Sequence, residues 1–298
     1  MKSLLNQRPI RSARKNRVFR QSVIPIIILA LSIGLMLATG LLGVGRQGGF
    51  AASNADVVYF YMSAKAWLSG LNPYDYEIFR KFAQTIGRND VVPFAYPPHS
   101  FVLGGLLSLF PYSVAKGIMA ALNLFCVVAI AFLGVHLLRM REDAAGVARS
   151  HNAWWVIPAI VFGNPFTSHV LWTGQTAFIV GVAVISGWLL LNQGFWLVGG
   201  ILIGLATFKP QLTALIVLWL LLERRWQALL VAGGTALLCA IVPMLATSPV
   251  DTFSTWLQAM ADYKGTPGMA PGTGYIIGIS SVLKALGIET SKQLTVAL

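Results

Sequence analysis

Acidic residues are scarce in this chain of 298 residues: ten Asp and Glu stand against 22 Lys and Arg. Charged residues of both signs make up 11%, whereas hydrophobic residues make up 56%. A soluble domain carries about 25% charged residues, so this shortage excludes an ordinary soluble fold. Cysteine and histidine are scarce too. Cys126 and Cys239 lie inside apolar segments, and His99, His136, His151 and His169 are scattered. No Cys-x-x-Cys or His-x-x-x-His spacing offers a zinc site. No Gly-x-x-x-x-Gly-Lys or Gly-x-Gly-x-x-Gly loop leads suitably into a helix, so no nucleotide site is indicated. Neither a metal nor a cofactor is expected. The short alternating segments of a β-barrel are missing as well.

What is present is a series of long apolar runs, several approaching the ~20 residues that cross a bilayer. The expected fold class is all-α, a polytopic transmembrane helical bundle with about eight membrane segments. The net charge of +12 sits where it sets topology. Lys2, Arg8, Arg11, Arg14, Lys15, Arg17 and Arg20 precede the first run with no acid among them. This positive-inside signal predicts a cytoplasmic N-terminus over 1–21, in contact with anionic lipid rather than nucleic acid. The run 22–44 is longer than the apolar region of a signal peptide and lacks a small-residue cleavage site. A single transmembrane domain over 22–298 is expected.

A first extracytoplasmic loop over 45–98 follows. Residues 55–69, rich in aromatics and closed by Gly70, read as an amphipathic helix along the interface. "FAYPPHS" ends the loop. The apolar piece 99–110 spans only ~18 Å as a helix. If it crossed, Arg139, Arg141 and Arg149 would fall outside, against the charge rule, so it is expected to dip in and return. A full-length segment is expected over 114–138; 154–162 rises to "GNPFTSHVLWTGQ", 177–191 returns, and 228–246 crosses outward. Two short helices, 195–208 and 212–222, flank Lys209-Pro210. A polar Gly/Pro-rich loop is expected over 247–274, before "YIIGISSVLKALG".

Polar residues inside or beside a membrane are where function concentrates. Asp56 heads the aromatic helix that carries Tyr59. Alone it reads first as an acid favoured by the helix dipole, with Ser53 or Asn54 as the cap, and only second as a catalyst. "YPPHS" supplies Tyr96, Pro97, Pro98 and His99, otherwise a loop leading into a helix. "NPFTSHVLWTGQ" clusters Asn164, His169 and Gln175, otherwise an interfacial loop. Lys209 lies between two runs too short to span, either snorkelling outward or forming a phosphate site where two helices meet. A carboxylate, an amide, a histidine and a lysine on one outer face suit sugar transfer from a phospholipid carrier. Such a reaction needs a base for the acceptor hydroxyl and a cation for the departing phosphate.

The order "ADVVYFYMSAKAWLSGLNPYD", "FAYPP", "NP…GQ", "GGILIGLATFKPQL…LLERRW" resembles the polyprenyl-phosphate-mannose-dependent mannosyltransferases of glycosyltransferase family 87, which have the GT-C fold. The resemblance covers about 20–245. It implies inverting transfer of mannose from a polyprenyl-phosphate donor to a glycan or glycolipid acceptor, at the outer face of the cytoplasmic (inner) membrane. Asp56 occupies the position of the family's base. Tyr96, Pro97 and Pro98 match its Tyr-Pro-Pro, Gln175 its Gly-Gln and Lys209 its Lys-Pro. Tyr59, His99 and His169 complete the expected substrate-binding set. Two features depart from the pattern. Ala177 stands where the family commonly has asparagine, and family members are usually longer, so the chain reads as C-terminally shortened. Two other readings suit the composition: a transporter or lipid flippase, for which no internal repeat is found, and a non-catalytic subunit of a glycan-assembly complex.

Overall fold

The computed structural model describes residues 23–46, 55–89, 91–149 and 152–265. The basic stretch 1–21 and "YIIGISSVLKALG" lie outside them. The described residues form thirteen α-helices and no strand. Two helices, α1 (Val23–Leu41) and α5 (Tyr112–Ala144), are each long and apolar enough to cross a bilayer. Two pairs pass the same test jointly. These are α7 (Pro165–Thr173) with α8 (Ala177–Asn192), bent by 113°, and α11 (Trp226–Cys239) with α12 (Ile241–Thr247), bent by 47°. The described residues therefore supply two spans, or up to four if each bent pair is one. Shorter apolar helices are α6 (Ala153–Gly163), α9 (Trp196–Ala206) and α10 (Pro210–Leu222). The chain is a multi-pass membrane protein.

Two compact units are present, the first from Met1–Val57 and Lys116–Leu202, the second from Val58–Ala115 and Ile203–Leu298. The first has Met36, Val127, Ala131, Phe162 and Leu171 at its core. Its α1 ends in a π-helical turn, Leu37–Leu41. There a Cβ on Gly40 would stand 3.2 Å from Leu171 Cβ and 3.3 Å from Ser168 Cα, so the missing side chain lets α7 lie close. Asn164 separates α6 from α7. Its side chain accepts from Phe166 N–H, and Pro165 takes the first helical position, a standard helix start. Gly174, at φ +70°, closes α7 in the left-handed conformation.

In the second unit, α2 (Val57–Leu68) is followed by α3 (Tyr76–Gln84), a 3₁₀ turn (Pro98–Ser100) and α4 (Phe101–Ser108). The expected amphipathic face of the first of these helices is not observed. Val58, Phe60, Tyr61, Met62, Ser63, Ala64, Ala66 and Trp67 are all buried. Phe94 packs against Trp67 (5.6 Å), Tyr74 (5.5 Å) and Phe79 (5.8 Å), so the aromatics form a core rather than an interfacial belt. At Gly104 an added Cβ would collide with the Phe60 carbonyl oxygen, so α4 crosses α2 in backbone contact. At eight residues, or ~12 Å, α4 is far short of a span.

A second difference lies at 247–274, expected as loop. Residues Pro249–Gly265 form a helix, α13. Ser248 Oγ accepts from Asp251 N–H at 3.1 Å and bonds Asp251 Oδ2 at 2.7 Å. With Pro249 first, this Ser-Pro-x-Asp start is a capping signal that the polar composition concealed.

Candidate active site

Within the second unit, the Tyr-Pro-Pro-His turn and the Lys-Pro turn come together. Pro98 holds Pro97 in extended conformation (φ −60°, ψ 156°) and opens the 3₁₀ turn, which delivers His99. Its Nε2 lies 3.1 Å from Thr207 Oγ1, 108 residues away in sequence. The same hydroxyl donates to Gly204 O at 2.6 Å. A hydroxyl has one proton to give, so towards His99 it must accept. His99 therefore carries its proton on Nε2, and Nδ1 is the bare acceptor. Burial pushes the His99 pKa down to about 4, with a hydrogen bond to the Thr207 backbone working the other way. The ring is neutral near pH 7. It offers a ligand hydroxyl a lone pair, not a charge.

Two residues past Thr207, Lys209 is 7% exposed and stands at the N-terminus of α10, with Pro210 at the first helical position. A lysine is rarely this buried, and unpaired N–H groups of a helix start add positive potential beside it. Tyr96 is held from three directions. Tyr74 Oη donates to its carbonyl at 2.8 Å. Trp256 Nε1 donates to the preceding Ala95 O at 3.1 Å. Phe60 lies 4.5 Å from its ring and meets Phe208 edge-on at 6.1 Å. Tyr59 stacks on Phe79 at 5.7 Å, and its hydroxyl accepts from Val92 N–H at 3.3 Å.

The first unit holds the other sequence-derived residues. Asp56, half-buried, stands immediately before Val57, and its N–H donates to Thr173 O at 2.9 Å. Thr173 in turn donates to His169 O at 2.9 Å, and Gln175 N–H bonds Val170 O at 3.2 Å. Asp56 is thus tied by its backbone to the residue that precedes Gly174-Gln175. His169 is exposed and Gln175 half-buried. Among the described residues, no group of three His, Cys, Asp or Glu is placed to hold a metal.

The model of glycosyltransferase family 87 matches residues 94–297. The chain belongs to glycosyltransferase family 87. It is accordingly a membrane glycosyltransferase, with a sugar donor and an acceptor as its substrates. No curated protein and no solved structure matches it. The family 87 match takes in Tyr96, Pro97, Pro98, His99, His169, Gln175 and Lys209, and begins beyond Asp56 and Tyr59. Sequence reasoning missed the residues that support this family 87 site: Thr207, which fixes the His99 tautomer, and Tyr74 and Trp256, which hold the Tyr96 turn. The hydroxyl of Thr207, one helical turn beyond Gly204 and just before Lys209, was the one local signal.

Proposed function

We propose that the chain transfers mannose from a polyprenyl-phosphate carrier to a hydroxyl of a glycan or glycolipid, with inversion, at the outer face of the inner membrane. The proposed architecture is a GT-C bundle of about eight membrane segments, with the N-terminus in the cytoplasm. The acceptor oxygen forms the new bond to the anomeric carbon as the bond from that carbon to the phosphate oxygen breaks. Polyprenyl phosphate leaves with the electron pair, and Asp56 takes the acceptor's proton as general base. Lys209 steadies the departing phosphate. Tyr59, Tyr96, Pro97, Pro98, His99, His169 and Gln175 contact sugar or carrier, and the bare Nδ1 of His99 suits a sugar hydroxyl.

The observation that supports this reading best is the His99–Thr207 bond, which joins two family motifs beside a buried lysine. The test is incubation of membranes containing the protein with labelled polyprenyl-phosphate mannose. A labelled glycan or glycolipid is expected. Asp56→Asn lowers turnover by about 10²–10⁴, and Lys209→Met lowers it by about 10² or more. Normal turnover by Asp56→Asn would refute the assigned base. Lipid flux without a new glycosidic bond would favour the flippase reading.

A further inference from the structure

The C-terminal end of α1 carries a second feature, of which the transfer chemistry proposed above uses His169 alone. After the π-helical turn Leu37–Leu41, Gly43 and Gly45 both adopt positive φ, +70° and +71°, a conformation open to glycine and strained for other residues. Val44 N–H bonds Ala38 O at 2.9 Å and Arg46 N–H bonds Gly43 O at 2.9 Å. The chain is hooked back on itself, and Arg46 Nε donates to Thr39 O at 3.4 Å. This puts the guanidinium carbon 5.9 Å from the centre of the Trp172 ring. His169, exposed, lies three residues before Trp172 on α7, hence on the same helix face. Among the described residues Arg46 forms no ion pair. All these groups belong to the first unit.

A guanidinium that uses one nitrogen on a carbonyl and one face on an aromatic ring keeps its remaining N–H groups for an oxyanion. An imidazole beside it adds a further donor. We infer that Arg46, Trp172 and His169 form a binding site for a lipid-borne phosphate. Arg46 supplies charge-assisted hydrogen bonds, Trp172 fixes the guanidinium, and His169 completes the donor set. The feature is more than a topology signal. A snorkelling arginine needs no glycine hook, no π turn and no aromatic platform. The inference is independent of the identity of the sugar, and two sources share the chemistry: a prenyl monophosphate and an anionic phospholipid headgroup.

The full chain is purified in neutral maltoside detergent as Lys209→Met, so that the lysine of the proposed active site does not contribute. Binding of citronellyl phosphate, dioctanoyl phosphatidylglycerol and citronellol is then measured by calorimetry. The phosphate-bearing ligands are expected to bind and citronellol to bind at least about tenfold more weakly, with Arg46→Gln weakening phosphate binding about tenfold or more. His169→Gln, at an exposed position, weakens it to a lesser degree and supplies a variant that keeps the fold. Preference for citronellyl phosphate identifies the carrier as the source, and equal competition by phosphatidylglycerol identifies membrane lipid. Equal binding of citronellol, or unchanged affinity in both Arg46→Gln and His169→Gln, overturns the inference. Repeating the titration with Asp56→Asn separates its failure from failure of the transferase reading, because binding is read without turnover.

Discussion

His99 Nε2 and Thr207 Oγ1 stand 3.1 Å apart, and the hydroxyl proton of Thr207 is committed to Gly204 O. One side chain therefore sets both the position and the protonation pattern of the other. Thr207→Val removes the side-chain acceptor at Nε2 and keeps the backbone one, at a cost of up to about 1–3 kcal/mol. Thr207→Ser keeps the hydroxyl and should restore most of the loss. Melting temperature reports the first effect. Sugar transfer reports the second, because a freed imidazole no longer presents Nδ1 alone.

The depressed pKa of His99 gives acid sensitivity a direction. Unfolded, the ring titrates near 6.5; folded, at about 4. Between these values the unfolded state binds more protons, so stability is full above about pH 6.5 and falls as pH drops towards 4. The loss is on the order of 3 kcal/mol at its limit, less any solvent screening. Melting between pH 7 and 4.5 should fall more steeply for the native chain than for His99→Phe. Parallel curves would remove His99 as the cause.

Gly104 and Gly117 make a matched pair. At Gly104 a Cβ meets the Phe60 carbonyl, whereas at Gly117 nothing lies within 4 Å. Gly104→Ala must push α4 from α2 and is expected to cost several kcal/mol. Gly117→Ala, in the interior of α5, should be neutral or stabilise by up to ~1 kcal/mol. Thermal unfolding of the two variants in detergent tests the contrast. Equal melting would mean the crossing is looser than the geometry shows.

Ser248 combines a cap with strain. Its Oγ accepts from Asp251 N–H, and its φ is +110°. Ser248→Ala loses the cap and keeps the strain, at about 1 kcal/mol or more. Ser248→Gly loses the cap but relaxes the backbone. The glycine variant should therefore melt above the alanine variant, an order opposite to their helix propensities.

Much of the helical framework was legible. Lys209-Pro210 marks a helix start because proline at the first helical position leaves no hydrogen bond unmade, and α10 begins there; Asn164-Pro165 opens α7 in the same way, although that stretch reads as an interfacial loop. Other boundaries were not. Arg139 reads as the end of a span, yet α5 runs on to Ala144, because leaving a membrane does not end a helix and arginine is a good helix former. The burial of α2 was hidden because its covering residues, among them Phe94, Tyr96, Gly104 and Phe208, are remote in sequence. The pairing of His99 with Thr207 has the same origin. Each residue looked ordinary in its own segment, and only tertiary packing joins them. The motifs themselves were legible as chemistry, and their supports were not.

The grip of α13 on the Tyr96 turn also sets an order of events in biosynthesis. Trp256 reaches Ala95 across 161 residues, and Asn72 Nδ2 reaches Thr255 across 183. At ~5–20 residues per second, the stretch from Ala95 to Trp256 takes on the order of 10–30 s to translate. During that interval the Tyr-Pro-Pro segment is already made, but its last fastener is still on the ribosome. The Tyr-Pro-Pro turn is therefore secured late, after most of the chain that surrounds it has been laid into the membrane.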